Sequence, residues 1–179
     1  MPGTSFCQQQ LNWKRHKRVI LSLGILGAWI LLAETCADRQ IAINTSPSVP
    51  PGIYLRSRSE PKVGNIVDFC IPAPGLAYVA GRSAYSGQNW YILKMIAAGP
   101  GDQVDATGDW LEINGKRVAP IFAQDADGRQ LPRWREARVL GADEFFVFSD
   151  RIPNSFDSRY YGPIQREQIK AVRVSLVTW

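Results

Sequence analysis

Histidine is almost missing from this chain. His16 is the only one in 179 residues, and it stands in a basic run ahead of an apolar segment. Everything after residue 18 must therefore do its chemistry without imidazole, which excludes a Ser-His-Asp triad and any histidine-ligated metal from that part. Cysteine is nearly as scarce. Cys7, Cys36 and Cys70 match neither a zinc spacing nor a CxxC redox pair. Cys36 and Cys70 would share an oxidising compartment if the chain is exported, leaving two alternatives, a bridge or an inert Cys70. Neither a cofactor nor a metal is expected. Zinc-finger spacing, RNA-binding signatures and basic-helix patterns are also missing, so the +5 formal charge does not imply nucleic acid.

Long apolar runs are scarce too. Val19 to Ala33 (VILSLGILGAWILLA) is the longest, at fifteen residues, against the roughly 20 of a membrane-spanning helix. Lys14-Arg15-His16-Lys17-Arg18 precedes it and Glu34 to Ala37 follows. Snorkelling lysines and headgroup-level flanks extend the run to one span over 19–37. The expectation is a basic cytoplasmic segment (1–18), a transmembrane anchor (19–37) and an extracytoplasmic domain (38–179). The charge asymmetry predicts a periplasmic or outer-face domain on the bacterial cytoplasmic membrane, in contact with the lipid bilayer. A cleaved signal peptide is the competing reading, without a clean small-x-small site at Glu34-Thr35-Cys36-Ala37.

What the chain does have is turn formers: 12 prolines and 15 glycines, which favour many short strands over long helices. Strands are predicted at Ile41–Asn44, Ile53–Leu55, Ile66–Ile71, Leu76–Ala80, Trp90–Ala98, Glu144–Phe148 and Ile169–Trp179. Trp110 to Val118 reads as a hairpin, since Asn114-Gly115 suits a type I′ turn. Residues 123–138 and 151–163 read as loops. The fold class is mainly β, a compact antiparallel domain with few helices.

One stretch organises the rest: Asn44-Thr45-Ser46-Pro47-Ser48-Val49-Pro50-Pro51-Gly52. Its prolines fix φ and remove amide donors, so neither helix nor central strand runs through it. Pro51-Gly52 suits the centre of a type II turn. Ser46 and Ser48, two apart, share one side of an extended backbone, a nucleophile beside an oxyanion donor. The plain alternative is a Ser/Pro linker. A serine nucleophile needs a base, and without histidine the remaining ordinary one is a neutral lysine. Lysine titrates near ~10.4, so acting near pH 8 requires surroundings that disfavour the ammonium by about 3 kcal/mol. Lys94, flanked on its own strand face by Ile92 and Ile96, fits best; the alternative is an edge lysine that discourages aggregation. Ser48 would attack the scissile carbonyl and Lys94 would take its proton.

Three blocks in order, Ser48-Val49-Pro50-Pro51-Gly52, Tyr91 to Ile96 with Gly99-Pro100-Gly101-Asp102, and Asn154 to Gly162, resemble type I signal peptidases. Asn44 to Pro47 and Gly52-Ile53-Tyr54 resemble the TraF-type conjugative transfer branch. The resemblance implies a signal-peptidase-like catalytic domain behind one membrane anchor, with Ser48 as nucleophile and Lys94 as base. It implies an oxyanion hole formed by Ser46 and the Ser48 amide, a Ser155 hydroxyl bonded to the lysine, and Asp157 and Arg159 as a supporting pair. It further implies a membrane-anchored serine endopeptidase acting on an extended segment of a secreted or membrane-inserted pilin precursor, with conjugation-apparatus proteins as partners. Val49 replaces the usual methionine, and Ser149-Asp150-Arg151 stands where Gly-Asp-Asn is common. Alternatives are a repressor-like self-cleaving protease and a non-catalytic extracytoplasmic β module of a secretion or conjugation complex.

Overall fold

Proline and glycine interrupt this chain every few residues, and the segments between them pair as short strands. A computed structural model describes residues 40–80 and 91–179. Seven strands form the larger sheet: β1 (Ile41–Asn44), β2 (Gly52–Ser57), β3 (Ile66–Cys70), β4 (Tyr91–Ala98), β9 (Glu144–Phe148), β10 (Ile164–Gln165) and β11 (Ile169–Thr178). Their spatial order is β1-β2-β11-β3-β4-β9-β10. A smaller sheet runs β7 (Lys116–Pro120), β6 (Trp110–Ile113), β5 (Gln103–Asp105), β8 (Ala137–Val139). From β2 onward each pairing is antiparallel. Residues Ala42–Trp179 form one compact unit.

The core follows from period-2 alternation. In β9, Phe145 and Val147 point into a cluster with Val67, Phe69, Ile96 and Ile164. Phe146 and Phe148 point the other way, into a cluster with Val104, Leu111, Ile121 and Leu140. One strand thus serves both apolar layers.

The antiparallel β domain and the Asn114-Gly115 hairpin are as expected, with φ of 51° and 73° at the two turn positions. Other expectations are corrected. Leu76–Ala80 is not a strand: Leu76 to Val79 end α1 (Ala73–Val79) and Ala80 is its C-cap, while Pro74 occupies the first turn that tolerates it. Pro51-Gly52 does not make a type II turn, because Gly52 lacks the positive φ that turn requires. Gly52 instead opens β2 against Thr178, where a Cβ would lie 2.3 Å from the Val177 carbonyl oxygen. The 151–163 loop contains a one-turn helix, α2 (Ser158–Tyr161). Cys70 carries a free thiol, and Cys36 lies outside the described residues.

The expected transmembrane helix is corrected as well. Among the described residues no helix is long and apolar enough to cross a membrane. Seven residues is the length of α1, about a third of a span. The segments 1–18 and 19–37 on which the cytoplasmic tail and anchor were placed lie outside the described residues. A single-pass topology, contact with the lipid bilayer and the periplasmic or outer-face location drawn from it are therefore unsupported.

Candidate active site

The serine loop is short of its own donors, and side chains supply them. Pro47, Pro50 and Pro51 have no N–H, so the loop cannot pair its carbonyls internally. Asn44, at the end of β1, donates from Nδ2 to the carbonyls of Ser46 (2.8 Å), Val49 (3.0 Å) and Pro50 (3.2 Å). Its Oδ1 accepts the Ser46 amide at 3.1 Å. Arg151 Nε donates to the Pro47 carbonyl at 3.1 Å, and Ser149 Oγ to the Ser48 carbonyl at 2.6 Å. Tyr54 OH adds a bond to the Pro50 carbonyl at 2.6 Å, and the Trp179 amide one to the Pro51 carbonyl at 3.1 Å. Every carbonyl from Ser46 to Pro51 thus accepts a hydrogen bond from outside the proline-rich turn. The loop is stiff both covalently and through its partners.

Within that frame Ser46 Oγ lies 3.1 Å from Ser48 Oγ. The Ser48 amide points at Ser46 Oγ at 3.4 Å, a long bond that an incoming oxyanion can readily replace. Ser48 is buried and Ser46 exposed.

Lys94 stands at the middle of β4, which has β3 on one side and β9 on the other. It is not an edge lysine. Its cross-strand neighbour on β3 is Val67, and Ile96 and Val147 pair on the same face. Burial, the largest influence, lowers its pKa from 10.5 to about 8. The Asp157 carboxylate pulls the other way, and the Arg159 guanidinium adds to the lowering. Lys94 Nζ is bonded to Ser155 Oγ at 2.7 Å. No hydrogen bond links Lys94 to Ser48 in this resting arrangement, where Ser48 Oγ is turned toward Ser46.

Asp157 and Arg159 form a fully buried ion pair, with Nε–Oδ1 at 2.8 Å and Nη2–Oδ2 at 3.0 Å. Asp157 also caps α2 through the Arg159 amide and accepts the Ser149 amide at 3.4 Å. The remaining Arg159 donors reach the carbonyls of Pro120 (2.7 Å), Pro153 (3.2 Å) and Ser155 (2.9 Å). Its guanidinium lies 5.0 Å from the Phe148 ring centroid and 5.4 Å from that of Tyr160. One side chain therefore ties together the small sheet, the late loop and the segment bearing Ser155.

Sequence reasoning missed two residues. Asn44 was legible as an Asx-type loop starter before a serine-proline pair. Ser149 was noted only as a departure from glycine. In the structure it is buried and joins the Ser48 carbonyl to the Asp157 carboxylate. No spacing rule connects residues 101 positions apart. Among the described residues no group of acidic, cysteine or histidine side chains is arranged to hold a metal ion.

The arrangement suits a developing oxyanion between the Ser48 amide and the Ser46 hydroxyl. Ser46→Ala is expected to lower kcat for peptide cleavage by roughly 10²–10³ with little change in KM. Steady-state kinetics on a peptide substrate test this, and an unchanged kcat would remove Ser46 from the oxyanion site.

Comparison with known proteins gives a consistent picture. The family described as signal peptidase, peptidase S26, matches residues 13–179. A plasmid transfer protein TraF of Escherichia coli is 34% identical, covering 86% of this chain and 92% of its own length. A second E. coli plasmid transfer protein TraF is 36% identical, covering 91% and 97%. A conjugal transfer protein TraF of Agrobacterium tumefaciens (strain 15955) is 29% identical, covering 84% and 90%.

Proposed function

This chain belongs to the type I signal peptidase S26 family and is related to the TraF-type conjugative transfer peptidases, and from that premise we propose that it is a serine endopeptidase working through Ser48 and Lys94. Membership carries hydrolase chemistry at the family level. The similarity to TraF proteins points to a role with a conjugation apparatus. The substrate in this reading is an extended segment of a precursor protein of that apparatus, a pilin precursor, cut by the domain formed by residues 38–179.

The observation that carries the reading is Lys94, buried between apolar strands with its pKa lowered to about 8, in a chain whose one histidine is His16. Half of such lysines are neutral near pH 8 and can accept a proton. The Ser48 side chain turns from Ser46 toward Lys94, and its Oγ attacks the scissile carbonyl as Lys94 Nζ takes the hydroxyl proton. Charge building on the carbonyl oxygen is met by the Ser48 N–H and the Ser46 hydroxyl. Lys94 returns its proton to the departing amine, leaving an acyl-Ser48 ester and a neutral lysine. Water then enters, Lys94 takes its proton, and collapse of the second tetrahedral intermediate releases the acid and restores Ser48. The Ser155 hydroxyl keeps the Nζ lone pair aimed during both halves.

The test is covalent labelling with an electrophilic serine-protease inhibitor, followed by peptide mapping that separates Ser46 from Ser48. The adduct is expected on Ser48 and absent from Ser48→Ala. An adduct on Ser46, or labelling that survives in Ser48→Ala, overturns the assignment.

A further inference from the structure

Apart from the serine loop, the described surface has a cavity of about 340 Å³ between the β2–β3 connection and the start of β11. Its lining includes Arg56, Arg58, Arg166 and Lys170 together with the hydroxyls of Ser57 and Ser59. Arg56 lies on β2 and Arg58 just past its end, and both line the cavity. Ser57 and Ser59 are held together, Oγ to Oγ at 2.9 Å, with the Ser59 amide donating to Ser57 Oγ at 3.1 Å. The cavity adjoins the Ser57 end of β2 and the serine loop adjoins the Gly52 end, roughly 17 Å apart along a strand. The two are separate sites.

Four cations around one small cavity repel one another, and the chain offsets them sparingly. Arg166 is paired with Glu60, whose side chain is 76% exposed. Arg56, Arg58 and Lys170 have no carboxylate partner among the described residues. The other nearby acid, Glu167, is not part of the lining. Three uncompensated positive charges, planar guanidinium donors and two hydroxyls are the donor set that recognises the oxyanion of a phosphate group. Its volume is that of a small-ligand site.

We propose that this cavity binds a phosphate-bearing anion, with Glu60 occupying Arg166 until the ligand arrives. Glu60 is then an internal competitor, and its removal has the opposite sign from removal of a cation. The proposal is independent of the peptidase assignment, since Ser48, Lys94 and Ser155 are not part of the lining.

Isothermal titration of the full chain with inorganic pyrophosphate at physiological ionic strength tests it, beside co-sedimentation with phosphatidylglycerol vesicles and with neutral phosphatidylcholine vesicles. Saturable one-to-one pyrophosphate binding is expected, weakened about tenfold by Arg166→Gln and by Lys170→Gln and tightened by Glu60→Gln. Lys116→Gln, at the exposed first residue of β7, removes the same charge elsewhere and should leave binding unchanged. Binding to phosphatidylglycerol vesicles alone, with the same variant pattern, supports the proposal and identifies the phosphate as a lipid headgroup. Absence of both, or binding that Lys116→Gln weakens as much as Arg166→Gln does, overturns it. These exposed substitutions are checked by thermal unfolding, so loss of binding is not confused with loss of fold.

Discussion

Lys94→Met should lower kcat/KM for peptide cleavage by roughly 10²–10⁴ while making the protein more stable at neutral pH. Both effects have one cause. The fold holds Lys94 where its ammonium form is disfavoured, with a pKa of about 8 instead of 10.5. Between those values the unfolded chain binds the proton and the folded chain releases it, so stability rises with pH across that window. Below about pH 8 both states are protonated, and the fold bears the full penalty of a buried charge, roughly 3 kcal/mol. Methionine removes that penalty and keeps the unbranched apolar stem. It leaves the Ser155 hydroxyl without its partner, a loss of about 1 kcal/mol. Urea unfolding should therefore show a net gain of about 2 kcal/mol at pH 7 that disappears above pH 10. In the unsubstituted protein kcat/KM should climb to a plateau with an apparent pKa near 8. A profile governed by a group near pH 6, or full turnover in folded Lys94→Met, would mean that another base is used.

Arg159→Met should be the most destabilising single change in the site. It strands the Asp157 carboxylate in a fully buried position and frees the carbonyls of Pro120, Pro153 and Ser155 at once. Removing one partner of a buried pair costs about 3–5 kcal/mol. Asp157→Leu combined with Arg159→Met should recover part of that, because no lone charge remains. Activity should change in a direction of its own. The guanidinium helps lower the Lys94 pKa and the Asp157 carboxylate raises it. With only the carboxylate left, the pH–rate curve of folded Arg159→Met should move to the alkaline side. Denaturant unfolding of the single and double variants reads the first effect, and kcat/KM against pH the second. A stability loss below about 1 kcal/mol, with an unmoved profile, would show that the pair neither braces the site nor tunes the lysine.

Much of this was legible locally. The Asn114-Gly115 turn, the strand containing Lys94 and the proline-stiffened serine loop each follow from short-range rules of backbone geometry and alternation. The shortage of histidine was decisive, because it excluded the imidazole triad before any fold was known. Expectations failed where a local signal had two solutions. Pro72 and Pro74 mark the end of β3, but the second also starts α1. Pro51-Gly52 is a turn dipeptide that here opens a strand, because glycine is needed for close approach to Val177 and not for positive φ. The apolar stretch before Glu34 suggested a spanning helix on hydropathy alone, and among the described residues no such helix exists.

The chain by itself determined which groups were available: two serines on a rigid loop, a lysine in an apolar strand and no histidine after residue 16. Those are matters of inventory and of neighbours a few residues away. Tertiary structure alone decided what state each group is in. Lys94 lies next to Ile92 and Ile96 on its strand face in any fold, but its lowered pKa requires β3 and β9 on both sides. β11, the last strand, inserts between β2 and β3 and brings the Trp179 amide to the Pro51 carbonyl. The Ser48 carbonyl finds Ser149 across 101 residues. Desolvation and hydrogen-bond partnership depend on what lies within a few ångströms in space, and strand order, which local sequence does not encode, sets that.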